Sequence, residues 1–141
     1  MRCLMLLLML TAAATAQNLA GTWKLVSAGE WRPNGEMLHP YGKAPSGMLI
    51  YDAKGNVSLQ LQYDGKGPAG ESYFSYFGTY KTDPQNGSVY HAIKGSSSEK
   101  LRGATLTCFV TLDGNRLTLG LLPDMVNGEM RLRSQVWERI P

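Results

Sequence analysis

Cysteine is nearly absent from this chain of 141 residues, which holds Cys3 and Cys108 and no others. Cys3 falls in a segment expected to be removed, so no internal disulfide can brace what is left and the core must hold it unaided. Helical periodicity is missing as well: past the first residues no window carries a sustained three-four apolar repeat, which excludes a helical bundle. Charge of one sign is not concentrated anywhere. The 14 basic residues stand against 11 acidic ones, and no basic run exceeds Arg131-Leu132-Arg133, so a nucleic-acid partner is not expected. Metal-ligand spacings of the H-x-H, H-x-x-x-H or H-E-x-x-H kind are lacking, as is a G-x-S-x-G nucleophile motif, and neither metal nor cofactor is expected. Residues 65–70 do match G-x-G-x-x-G, but Ser72-Tyr73-Phe74 follows. A dinucleotide site needs a helix there rather than a strand signal, so the match is refused.

What is present begins with a leader. Met1-Arg2 is a short positive start, Cys3 to Leu10 is an unbroken apolar run, and Ala14-Thr15-Ala16 precedes Gln17. This is the pattern of a secretory signal peptide with an A-x-A cleavage site, and its apolar run is too short to span a bilayer. The expectation is a signal peptide over 1–16, cleavage near Ala16/Gln17, a mature domain over 17–141 with no transmembrane segment, and a periplasmic or extracellular location. Without Arg2 the net charge of +3 becomes +2.

Turn signals then recur at regular intervals: Pro33-Asn34-Gly35, Lys54-Gly55-Asn56, Asn86-Gly87, Asp113-Gly114-Asn115 and Asn127-Gly128. Between them lie runs rich in β-branched and aromatic residues. Strands are expected near 20–28, 47–53, 56–63, 73–82, 88–94, 103–112, 115–121 and 131–140, with a short ribbon at Glu30–Arg32 and Glu36–Leu38. Period-two alternation is clear in Val57, Leu59, Leu61 and again in Leu106, Cys108, Val110, Leu112, giving one apolar face and one polar face. Consecutive antiparallel strands with short connections predict an all-β fold, an eight-stranded antiparallel up-and-down β-barrel, because closure removes exposed edges. A two-sheet sandwich fits the same pattern.

Particular residues resemble a known family. Gly21-Thr22-Trp23 is similar to the G-x-W signature of lipocalins, and Arg139, two residues after Trp137, matches the arginine that crosses that tryptophan where such barrels close. Gly21 to Ser27, His39-Pro40-Tyr41-Gly42, Gly47 to Tyr51, Tyr76-Phe77-Gly78-Thr79-Tyr80 and Val136 to Arg139 are similar, in that order, to the bacterial and fungal lipocalin-like domain family. The resemblance implies a lipocalin-like barrel with a central cavity, in which the connection carrying His39 and Tyr41 runs across the open mouth. Asp64 to Glu71 departs from the pattern, being Gly- and Pro-rich where many relatives carry a short helix, and a looser lid is expected.

Several side chains are candidates for the wall of a site. His91 alternates with Val89 and Ile93 and so shares the inward face, either as a core histidine satisfied by a tyrosine or as a group that orients a ligand or moves a proton. Tyr51, Tyr76 and Tyr80 combine an apolar ring with a polar tip, which suits a core and a cavity wall alike. Gly78 between two tyrosines marks close approach, by a strand bend or by a ligand. His39 and Tyr41 either face the cavity or pin their loop to its rim, and Arg102 either meets a ligand's charge or is a solvated loop-end residue. Cys108 is expected as a small buried hydrophobe. Gly21, Trp23 and Arg139 are assigned to structure, the guanidinium lying over the indole. Asn56 and Asn86 match glycosylation acceptors but sit in turns that call for Asn anyway.

The leading expectation is a protein that binds a small hydrophobic or amphipathic molecule through His39, Tyr41, Tyr51, Tyr76, Tyr80, His91 and Arg102, as a monomer or weak dimer. A cofactor-free isomerase or cyclase with His91 as base and Tyr76 as acid is the alternative. A barrel filled by its own side chains is a third.

Overall fold

The computed structural model describes residues 18–141, and the expected leader lies outside the described residues. The strands are β1 (Gly21–Trp31), β2 (Met37–Leu38), β3 (Ser46–Tyr51), β4 (Asn56–Gln62), β5 (Tyr73–Asp83), β6 (Ser88–Ser96), β7 (Thr105–Asp113), β8 (Arg116–Leu121), β9 (Asp124–Val126) and β10 (Glu129–Arg139). Eight of them form an antiparallel ring in the order β1-β3-β4-β5-β6-β7-β8-β10, which β10 closes by pairing back onto β1. The sheet is therefore a closed up-and-down barrel and not a sandwich. No long helix is present among the described residues; Pro84–Asn86 and Glu99–Leu101 are single 3₁₀ turns in connections.

Alternation sets the interior. Leu49 and Tyr51, then Val57, Leu59 and Leu61, then Tyr76, then Val89, His91 and Ile93, then Leu117 and Leu119 are buried along successive strands, and each aliphatic side chain among them contributes roughly 1.5–3 kcal/mol on burial. Cys108 lies on the same inward face, buried and free.

The seam between the first and last strands carries the most specific packing. Trp23 and Trp137 are both fully buried, with Trp23 paired to Arg139 and Leu25 to Trp137 across the seam. The Arg139 guanidinium lies 4.2 Å from the centre of the Trp23 ring, and it donates to Ala20 O at 2.7 Å and Asn18 O at 3.1 Å. Trp23 Nε1 donates to Leu19 O at 3.0 Å, so the residues just before β1 are tied down by both partners of the stack. Gly21 makes room for this, because a Cβ there would sit 2.6 Å from Arg139 Nη1, and its φ of +146° disfavours any side chain.

The structure departs from the sequence reading at one end. The expected ribbon at Glu30–Arg32 is not a separate element but the continuation of β1, which stays paired with β10 from Glu30↔Arg133 to Trp31↔Leu132 and takes on β2. The last strand begins at Glu129 rather than 131, and β9, which the sequence reading did not contain, pairs with it across Asn127-Gly128. Both turn residues have positive φ, 52° and 76°, which a two-residue hairpin requires. This extension is clipped by Arg131–Glu30 at 2.6 Å and Arg32–Glu129 at 2.8 Å.

Gly21→Ala and Arg139→Ala are each expected to lower stability by about 1–2 kcal/mol, read as a fall in urea midpoint with unchanged m-value. An unchanged midpoint for both would show that the seam stack is not what holds the ring shut.

Candidate functional site

The barrel is filled at one end and hollow at the other. Trp23, Trp137, Leu49 and Leu59 are packed solid, whereas a cavity of about 750 Å³ opens between Tyr41, Tyr63, Phe74, Tyr76, Leu106, Cys108, Leu119, Leu121 and Gln135.

Local chemistry places the mouth residues. In His39-Pro40-Tyr41-Gly42 the Gly42 N–H donates to His39 O at 3.0 Å, which turns the loop. Asp64 N then donates to Tyr41 O at 2.8 Å, and Ala44 N donates to Asp64 Oδ2 at 3.1 Å. Gly42 is required because a Cβ would lie 2.1 Å from Asp64 O. So anchored, Tyr41 meets Tyr63 edge to face at 5.0 Å, and both rings line the cavity. Burial raises the Tyr41 hydroxyl pKa above its ordinary value and pushes Tyr63 up to about 12. The segment from Asp64 to Glu71 forms turns rather than a helix, and Ala69 and Glu71 reach the cavity from it.

Beneath the cavity sits a buried polar triad. Tyr51 Oη lies 2.6 Å from His91 Nε2, and Tyr76 Oη lies 2.7 Å from His91 Nδ1. Tyr51 comes from β3, Tyr76 from β5 and His91 from β6, so the contacts span the sheet. Tyr80 packs edge to face on Tyr51 at 4.7 Å and donates to Asp52 O at 2.7 Å. Burial drives His91 down to about 4 and raises the hydroxyl pKa values of Tyr51 and Tyr76, because each charged form would be desolvated. Cys108 is pushed up to about 12 for the same reason, so its thiol stays protonated.

Of the residues singled out from the sequence, Tyr41 and Tyr76 line the cavity itself. Tyr51, Tyr80 and His91 support it from behind. His39 is exposed, and Arg102, also exposed, donates from Nε to Ser96 O at 3.2 Å; neither lines the cavity. Gly78 serves a bend rather than a ligand: the register shifts between Phe77 and Gly78, and a Cβ there would lie 1.9 Å from Ala92 O. The Asn56 and Asn86 amides are engaged inside their own turns by Asp52 and Asp83, at 2.7 and 2.8 Å.

The sequence reading missed Gln135, Arg133, Leu119 and Leu121 as wall residues. Counting back in steps of two from inward Trp137 finds Gln135 and Arg133. Arg133 pairs with Asp124 at 3.2 Å, while its Nε is buried without a partner. Among the described residues no cluster of histidine, cysteine, aspartate or glutamate could hold a metal ion, and no helix is long and apolar enough to cross a membrane.

The lipocalin-like domain family matches residues 20–71, which run from the start of β1 to the end of the loop before β5. Over that stretch the chain is similar to the lipocalin-like domain family. No curated protein matches this chain. A solved structure described as a redesigned beta barrel is similar at 14% identity and a TM-score of 0.44, over 87% of this chain and 92% of that one, a likeness too distant to argue from.

The triad carries a pH signature. His91 binds its proton near pH 6.5 when unfolded and only near pH 4 when folded, so the unfolded state holds more protons between those values. Stability is full above pH 6.5 and falls by about 3 kcal/mol as pH drops to 4. In His91→Gln that part of the acid slope is expected to vanish, as measured by urea midpoints across the range; an identical slope would show that His91 does not titrate this way.

Proposed function

We propose that this is an exported lipocalin-like protein that holds one small hydrophobic or amphipathic molecule inside its barrel. The observation that carries the reading is the hollow itself. A chain free to fill its barrel does so around Trp23 and Trp137 but leaves about 750 Å³ open at the other end, within the range that small-molecule sites occupy. The wall suits such an occupant: aromatic and aliphatic side chains make up most of it, and its charges, Glu71 and Asp124 against Lys100 and Arg133, are balanced. The leader-like residues 1–16 support export.

The acid–base alternative is not favoured. His91 does not line the cavity, both of its ring nitrogens are engaged by tyrosines, and its low pKa makes it a weak base.

N-phenyl-naphthylamine is expected to fluoresce on binding the purified protein, and Leu119→Trp, which fills the hollow, to weaken that binding at least about tenfold. Absence of any fluorescence gain, together with native mass spectra of host-purified protein free of any bound small molecule, would overturn the binding reading. For export, the amino terminus of protein recovered outside the cytoplasm is expected to begin at Gln17.

A further inference from the structure

Counting hydrogens in the buried triad fixes the polarity of the cavity floor. A neutral imidazole offers one N–H and one lone pair, and each tyrosine offers one O–H. Three hydrogens therefore serve two contacts, Tyr51 Oη to Nε2 and Tyr76 Oη to Nδ1, and one hydroxyl hydrogen is left over. Two arrangements are possible. If Nε2 carries the proton, it donates to Tyr51 while Tyr76 donates to Nδ1, and the spare hydrogen belongs to Tyr51. Tyr51 is 1% exposed, has no second acceptor among the described residues and does not line the cavity; stranding a donor there costs roughly 1–3 kcal/mol. If Nδ1 carries the proton, Tyr51 donates to Nε2, Nδ1 donates to Tyr76, and the spare hydrogen belongs to Tyr76, whose side chain lines the cavity. The Tyr76 hydroxyl likewise has no second acceptor among the described residues, but its residue borders the hollow, where a bound molecule or a water can accept the hydrogen.

We propose that His91 is the Nδ1–H tautomer, that Tyr76 thereby presents its hydroxyl as a hydrogen-bond donor at the cavity floor, and that the molecule bound there carries a neutral acceptor such as a ketone or ester carbonyl. The ligand part rests on the binding reading above. A neutral acceptor suits a wall whose two carboxylates, Glu71 and Asp124, balance Lys100 and Arg133 in number. The depressed pKa of His91 agrees with a neutral ring at physiological pH. Tyr51 and His91 act as positioning residues, since they set which way the Tyr76 hydrogen points without touching the occupant.

The test has two arms. In ¹⁵N-labelled unliganded protein, two-bond proton–nitrogen spectra are expected to show His91 protonated at Nδ1; protonation at Nε2 overturns the proposal whether or not anything binds. In the second arm prodan, a naphthalene dye bearing a ketone, is compared with N-phenyl-naphthylamine, which has no carbonyl. Tyr76→Phe is expected to weaken prodan roughly three- to tenfold and to leave N-phenyl-naphthylamine unchanged, the latter also showing that the variant folds with its cavity intact. Should the variant not fold, the wild type decides: prodan emission red-shifted by a hydrogen bond to its carbonyl supports the donor, and emission typical of a wholly apolar pocket refutes it. Equal loss of both dyes in Tyr76→Phe refutes the donor role. If neither dye binds wild type although Nδ1–H is found, the binding reading fails and the acceptor-bearing ligand falls with it, while the tautomer assignment stands.

Discussion

Everything in this molecule depends on β10 finding β1. A meander of eight strands has two raw edges, and with no disulfide among the described residues to hold them the chain joins them to each other. The chain makes that junction selective by placing at it two tryptophans, an arginine that both stacks and hydrogen-bonds, and a glycine that leaves space for the guanidinium. Closure also sets the barrel's size. Eight strands enclose an interior that side chains can just fill, so a hollow at one end reflects the choice of residues there and not the width of the ring.

The two ends of the interior use aromatic side chains differently. At the seam both indoles are fully buried, and Trp23 also stacks under Arg139 and donates to Leu19 O. At the open end Tyr41, Tyr63 and Tyr76 line the cavity, and the Tyr76 hydroxyl is also engaged by His91. The triad is the boundary between these regimes. Histidine suits that position because it accepts and donates on opposite sides of a flat ring, linking three strands in a region where a charge would be expelled.

How much of this the sequence revealed follows from what each signal encodes. Period-two alternation in Val57, Leu59, Leu61 and in Val89, His91, Ile93 encodes which face is inward, and the fold and the inward placement of His91 were legible from it. Asn127-Gly128 was legible as a turn, yet β9 was not, because Met125 and Met130 are exposed on a ribbon outside the core and show no alternation to read. His39 and Arg102 illustrate a different limit. In an irregular loop there is no period to say where a side chain points: the Gly42–Asp64 contact turned Tyr41 inward and left His39 in solvent. Gln135 was legible in principle from Trp137, but a lone polar residue in a strand carries no flag of its own.

The buried thiol of Cys108 has a consequence for observing this barrel at work. It faces the cavity from the middle of β7, with the sheet behind it and no other thiol among the described residues. Alkylating it requires a reagent inside the hollow, so an occupant there slows the labelling of a sulfur that burial already holds as the less reactive thiol.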